Sequence, residues 1–162
     1  MSSPSPFPPA FVALARHARA RRPLSGEDDA ERDLTEEGRA ELERQCERLI
    51  GLGFACDAIL HSPWLRARRT AERLARALGR PAAEHAGLAS ELDSAAGRAL
   101  VEECRRAGAR SRLVLVGHQP WLAELARELG AADVSDLDCG ELIVLAPAIG
   151  GGFRLQARLA PG

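Results

Sequence analysis

Short, uniformly apolar runs alternate along this chain with longer stretches whose apolar positions recur every three or four residues. Ala10-Phe11-Val12-Ala13-Leu14-Ala15 is apolar throughout and stops at Arg16-His17, the pattern of a strand buried on both faces. From Arg19 to Asp33 no period is sustained. That stretch holds Arg21, Arg22, Pro23, Ser25, Gly26 and the acidic Glu27-Asp28-Asp29, and reads as a long loop. Thr35 then stands as a helix N-cap with Glu36 and Glu37 in the first turn. Leu42, Cys46, Leu49 and Ile50 follow at helical spacing until Gly51 and Gly53.

Asp57-Ala58-Ile59-Leu60 predicts a second strand ending at His61-Ser62. Ser62 as N-cap and Pro63 at the first helical position predict a helix with Ala67, Ala71, Leu74, Ala75 and Leu78 on one face, ended by Gly79 and Pro81. Residues 93–107 carry a weaker helical pattern. Leu113-Val114-Leu115-Val116 is the clearest strand, followed by Gly117-His118-Gln119-Pro120 and a helix carrying Trp121, Leu122, Leu125 and Leu129. Leu142–Leu145 and the alternation Phe153, Leu155, Ala157, Leu159 flank Gly150-Gly151-Gly152, which predicts a terminal β-hairpin. Strands alternating with helices imply an α/β fold: a three-layer αβα sandwich around a mostly parallel sheet. Ligands of such sheets bind beyond the carboxyl ends of the strands. Three strands here end in Arg16-His17, His61-Ser62 and Gly117-His118, so three histidines converge on one rim.

At 162 residues the chain fits one domain, expected over 10–162, behind a flexible leader over 1–9. Twenty-two basic residues, all arginine, nearly cancel 23 acidic ones, leaving a formal charge of -1 and no electrostatic case for nucleic-acid binding. Any anion site must be local. Cys46, Cys56, Cys104 and Cys139 lack the close pairs of a zinc site, and buried free thiols are expected. The opening MSSPSPFPPA has neither a charged start nor a long apolar run, so neither a signal peptide nor a membrane anchor is expected, and the protein is placed in the cytoplasm.

Four motifs, each at a strand end or helix start, then stand in order: Leu14-Ala15-Arg16-His17-Ala18, Asp33-Leu34-Thr35-Glu36-Glu37-Gly38, Ser62-Pro63-Trp64-Leu65-Arg66-Ala67-Arg68-Arg69-Thr70-Ala71 and Val114-Leu115-Val116-Gly117-His118-Gln119-Pro120. In this combination the chain resembles the phosphoglycerate mutase-like histidine phosphatase superfamily. Its short length, Arg-His-Ala in place of Arg-His-Gly, and lack of a large inserted cap look most like the SixA-type phosphohistidine phosphatases. The resemblance implies that His17 is the nucleophile, that Arg16, Arg66 and His118 hold the phosphoryl group, and that neither metal nor other cofactor takes part. It implies as substrate a phosphorylated protein, such as a histidine-containing phosphotransfer domain, or a small phosphate ester.

The chemistry of those residue types agrees. Charge on a transferring phosphoryl group spreads over three equatorial oxygens, so catalysis rests on alignment and positive donors. Arginine supplies a planar, permanently charged fork. His17 needs a neutral ring nitrogen, with the other held by a backbone carbonyl to fix the tautomer. Ser62, at a helix N-terminus, is a candidate phosphate contact, with simple capping as the competing reading. Arg66 competes with a surface-arginine reading, while Arg68 and Arg69 are read as solvated. His61 is a candidate pocket contact, and His85 a surface residue. Arg19, Arg21 and Arg22 either widen a positive funnel or pair with Glu27 to Asp29. Glu84, Glu91 and Asp93 are the candidates for a proton donor to the leaving oxygen, with Glu91 foremost, but none has a convincing motif. A missing acid suits a phosphoramidate, because imidazole leaves far more easily than an alkoxide. A phosphate-binding module without catalysis would not need His17, and a metal site would be opposed by its two flanking arginines.

Overall fold

The computed structural model describes residues 3–162. Ten main elements follow in order: β1 Phe11–Arg16, α1 Glu36–Gly51, β2 Ala58–His61, α2 Leu65–Leu78, β3 Ala82–Glu84, α3 Ala95–Ala107, β4 Arg112–Gly117, α4 Trp121–Glu128, β5 Leu142–Pro147 and β6 Phe153–Leu159. Short 3-10 turns occupy Asp29–Glu31 and Ala86–Ala89. The sheet order is β3-β2-β4-β1-β5-β6, parallel through the first four strands and antiparallel from β1 to β5 and β6. This is the expected αβα sandwich with a terminal hairpin.

Side-chain alternation in β1 and β4 builds two cores. Phe11, Ala13, Ala15, Val114 and Val116 face α1 and α2, where Leu42, Cys46, Leu49, Ala67, Ala71 and Leu74 cover them. Val12, Leu14, Leu113 and Leu115 face α3 and α4, covered by Leu100, Cys104, Leu122 and Leu125. Both faces of the central strands are thereby sealed, which is why their sequence is apolar without a polar alternate.

Register places the chemistry. Arg16 pairs with Gly117, and His61 with Val116, so β1, β2 and β4 end level with one another. His17 N–H donates to the Gly117 carbonyl and Ser62 N–H to the Val116 carbonyl, both at 3.0 Å, extending the sheet one residue past each strand. The loop after His17 returns to α1. There the Thr35 side chain caps Gly38 N–H at 2.9 Å, and Thr35 N–H donates to the Arg19 carbonyl at 3.0 Å. Gly38 is needed for that approach, since a Cβ would stand 2.2 Å from the Arg19 carbonyl oxygen.

Several details depart from the sequence reading. Trp64, not Ser62, is the N-cap of α2, and its side chain makes no capping bond because an indole offers no acceptor. No strand pattern marks Ala82–Glu84 in the sequence, yet these residues form β3. It is an edge strand too short and too weakly apolar to show a period, and it adds to β2. Ile50 and Leu155 face solvent, the latter beside a register shift between β5 and the edge strand β6. Residues 1–2 of the expected flexible leader lie outside the described residues. Within the rest, Phe7 packs edge-on against Phe54 at 5.0 Å and lies against the α1–α2 core. No helix among the described residues is long and apolar enough to cross a membrane.

Candidate active site

At the level strand ends lies a cavity of about 340 Å³ whose lining includes Arg16, His17, Arg66 and His118. These side chains reach it from β1, α2 and β4. A larger concavity of about 1060 Å³ between α1 and α2 holds no histidine, and Arg39 and Arg73 on its wall are already paired with Asp33 and Glu43.

His17 is buried, and its Nδ1 lies 2.8 Å from the Ala18 carbonyl. A carbonyl only accepts, so Nδ1 carries the proton and Nε2 keeps a bare lone pair. The carbonyl is itself anchored. Ala18 N–H donates to Thr70 Oγ1 at 3.0 Å, and that hydroxyl donates to the Arg66 carbonyl at 2.8 Å, tying the His17 backbone to α2. Burial, opposed in part by the Ala18 hydrogen bond and aided by the charges of Arg66, Arg16 and Arg32, lowers the His17 pKa to about 4. The ring is therefore neutral at neutral pH.

His118 is also buried and lies with its ring centroid 5.2 Å from that of His17. Its Nε2 is 2.7 Å from Ser62 Oγ, which accepts the Trp64 N–H at 3.2 Å. The hydroxyl is fully buried and its proton has no other acceptor among the described residues, so it is donated to Nε2, leaving Nδ1 as the N–H end. Nδ1 is buried without a partner. Burial first, then the proximity of His17 and Arg66, depress the His118 pKa to about 3. In the free protein His118 is thus a neutral donor rather than a cation.

The guanidinium groups complete the wall. Arg16 Nη1 donates to the Leu137 carbonyl at 2.8 Å while its buried Nε has no partner. Arg66, 4% exposed and so no surface arginine, donates from Nη1 to the Asp29 carbonyl at 2.6 Å and from Nη2 to Asp29 Oδ2 at 3.1 Å. Its Nε is likewise unpartnered, and its Cζ stands 4.7 Å above the Trp64 ring. Gln119 adds a fourth buried, unpartnered donor, Nε2, while its Oε1 accepts from Ala123 N–H. Unsatisfied donors are costly inside a protein, and four converging on one cavity form a site for an anion.

Sequence reasoning missed Asp29, Arg32, Trp64, Trp121 and Cys139, all of which line the cavity. Asp29 is the carboxylate among the lining residues. Its burial would raise its pKa, but Arg66 and Arg32 outweigh that effect and hold it below the ordinary value. Cys139, expected among buried thiols, is half-exposed at the rim, whereas Cys46, Cys56 and Cys104 are buried and free.

Other candidates stand elsewhere. Ser62 is fully buried behind His118 and does not line the cavity, so its expected phosphate contact is replaced by a hold on the His118 ring. His61 is buried with Nδ1 on the Ser62 carbonyl, also outside the lining. Glu84 is exposed on the edge strand β3. Glu91 and Asp93 are exposed in the turn before α3, where the Glu91 carbonyl packs on Gly97 and accepts from the Ser94 hydroxyl. None of these three carboxylates lines the cavity, because the short turn is closed onto α3. Arg19 lines the cavity and also pairs with Glu41, while Arg21 pairs with Glu27. His85 Nδ1 caps Gly87. Among the described residues no cluster of three or more His, Cys, Asp or Glu is placed to hold a metal ion.

The sequence model of the histidine phosphatase superfamily, branch 1, matches residues 12–96. An uncharacterized protein from a Picosynechococcus species is 40% identical over 115 residues, covering 70% of this chain and 69% of its own. A protein from Agrobacterium tumefaciens named as a phosphohistidine phosphatase SixA superposes with a TM-score of 0.77 at 27% identity, covering 95% of this chain and 99% of its own. The protein histidine phosphatase SixA complexed with tungstate has the same fold, with a TM-score of 0.79 at 21% identity over 93% of this chain and 97% of its own.

Proposed function

Because this chain belongs to branch 1 of the histidine phosphatase superfamily, we propose that it hydrolyses phosphohistidine on a protein, passing the phosphoryl group through His17 without a metal. The observation that carries this reading is the His17 ring itself: neutral, fixed by the Ala18 carbonyl, and facing a cavity whose lining holds four arginines and one carboxylate.

In the first step the Nε2 lone pair of His17 attacks phosphorus in line, and the bond from phosphorus to the substrate's imidazole nitrogen breaks with its electron pair, the substrate ring leaving as neutral imidazole because its other nitrogen carries a proton. Arg16, Arg66 and the Nδ1–H of His118 face the equatorial oxygens, where the transition state gathers charge. The His17 ring becomes a phosphoimidazolium, its Nδ1–H still held by Ala18. Water then attacks phosphorus, the P–Nε2 pair returns to the ring, and the water proton passes to solvent with release of inorganic phosphate. The partner expected is a histidine-containing phosphotransfer domain.

Hydrolysis of small phosphate monoesters is the second reading, favoured by one observation: Asp29 brings a carboxylate into the cavity. Two arginines hold that carboxyl ionised, which disfavours it as a proton donor and so favours the phosphoramidate. The test is a turnover assay with chelator present, comparing a phosphohistidine protein with sugar and nucleotide phosphates, together with rapid quenching of the enzyme during turnover of labelled substrate. A phosphoenzyme that is acid-labile, alkali-stable and absent in His17→Ala is expected. An acid-stable adduct would reject His17 as the nucleophile, and a preference for the esters in kcat/KM would move the assignment to the second reading.

A further inference from the structure

Both tryptophans of the chain, Trp64 and Trp121, line the same cavity, and neither belongs to either hydrophobic core. They are half-buried, so their large apolar rings remain partly in water, a placement that core packing does not explain. Trp64 lies 4.6 Å from the His118 ring and 6.0 Å, edge to face, from Trp121, while Trp121 stands 6.1 Å from His118. Trp64 already has work, since Arg66 sits over its face. Trp121 has none: it opens α4, whose core contacts are made by Leu122, Leu125 and Ala126. Beside it, the unpartnered amide of Gln119 supplies a donor.

We infer that Trp121, with Trp64 behind it, forms the leaving-group half of the cavity and selects phosphoryl groups carried on a planar aromatic ring. The inference rests on the phosphatase reading above and assigns it a specificity determinant. Arginines and histidines grip the phosphoryl oxygens of any substrate alike. An indole edge or face distinguishes what lies on the far side of phosphorus, because aromatic pairs gain from offset or edge-on contact that an alkyl group or ammonia cannot return. Imidazole and phenyl rings share that property, so the same wall accepts a P–N or a P–O bond.

The test compares N-phosphoimidazole with phosphoramidate, which share a P–N bond and differ in the ring, and phenyl phosphate with ethyl phosphate. In Trp121→Ala the kcat/KM ratio of phosphoimidazole to phosphoramidate is expected to fall about tenfold, and the phenyl-to-ethyl ratio likewise, with Trp121→Phe restoring most of both. Equal losses on all four substrates would overturn the inference in favour of a structural role. Binding of phenylphosphonate and methylphosphonate, followed by calorimetry and by indole fluorescence, needs no turnover. Wild type is expected to prefer the phenyl compound at least fivefold, and Trp121→Ala to lose that preference. If this preference holds while no substrate turns over, the phosphatase reading fails and the aromatic subsite stands. If substrates turn over but no ring preference exists in wild type, the subsite is rejected and the phosphatase reading stands. Circular dichroism of both variants separates misfolding from loss of selectivity.

Discussion

Asp29 engages both terminal nitrogens of Arg66, its carbonyl accepting from Nη1 and its carboxylate from Nη2. The fork proposed for a phosphoryl group is therefore occupied in the unliganded protein by an internal anion. Asp29 also accepts from Arg32 Nε at 2.7 Å, so the loop that follows the nucleophile is pinned across the cavity.

Replacing the carboxylate while keeping the carbonyl isolates its competition with phosphate. Asp29→Asn is expected to tighten inhibition by inorganic phosphate and orthovanadate by about two- to fivefold, a small gain because the side chain is 54% exposed and its charge is screened. Weaker inhibition would show that the carboxylate is needed to aim Arg66 rather than to compete with the ligand.

Arg66→Lys keeps a charge but cannot bond Asp29 and a phosphoryl oxygen together through a planar fork. A loss in kcat/KM of at least about tenfold is expected, or 1.4 kcal/mol of transition-state stabilisation. Arg16→Lys, which also abandons the Leu137 carbonyl, is expected to lose as much. An unchanged rate in either variant would remove that arginine from the site.

The strand ends were legible because apolar runs stop abruptly at Arg16, His61 and Gly117, and burial on both faces allows no polar residue earlier. Arg66 was legible through its place in the first turn after β2. Asp29 was not. It lies in an aperiodic loop where three acidic residues follow several arginines, and nothing local tells which carboxylate turns inward; only the fold brings that turn onto α2. Ser62 was misplaced for a related reason, since Ser-Pro mimics a helix start, while the chain runs two residues further before α2 begins. Its hydroxyl is taken by a histidine 56 positions away, a partner no local pattern reveals.

That hydroxyl makes a distinct prediction. Ser62→Ala removes the donor that occupies His118 Nε2 and leaves Trp64 N–H unsatisfied. A drop in kcat with little change in KM is expected, with a stability loss of about 1–3 kcal/mol. Ring nitrogen NMR supplies the readout that a purely structural role would not move: His118 should be Nδ1-protonated in wild type and a tautomer mixture in the variant.

The two depressed histidines predict how stability responds to acid. Both rings stay neutral in the fold well below 6.5, the ordinary histidine value at which the unfolded chain takes up protons. The unfolded state therefore gains protons first as pH falls, so stability is full above 6.5 and declines towards the folded values of about 4 and about 3. For His17 the complete effect is on the order of 3 kcal/mol. Thermal unfolding between pH 7 and pH 5, above the range where most carboxylates protonate, should show a smaller loss of Tm in His17→Asn than in wild type. Equal losses would mean that His17 titrates normally in the fold.

The remaining question is which carboxyl, if any, serves a leaving group. Glu84, Glu91 and Asp93 stand outside the cavity, so Glu84→Gln, Glu91→Gln and Asp93→Asn should leave hydrolysis of phosphohistidine and of phenyl phosphate within a few-fold of wild type. General acid catalysis is worth roughly 10² to 10⁴-fold, so a true donor cannot hide in the ester assay. Asp29 is the informative control. Held ionised by Arg66 and Arg32, it has no proton to give at neutral pH, and Asp29→Asn should change the ester rate no more than the phosphohistidine rate. An ester-selective collapse of a hundredfold or more would instead mean that phosphate binding draws Arg66 away from Asp29 and lets its carboxyl protonate. The phosphoramidate preference would then lose its chemical basis, while the placement of His17, Arg16, Arg66 and His118 around one phosphoryl group would be unaffected.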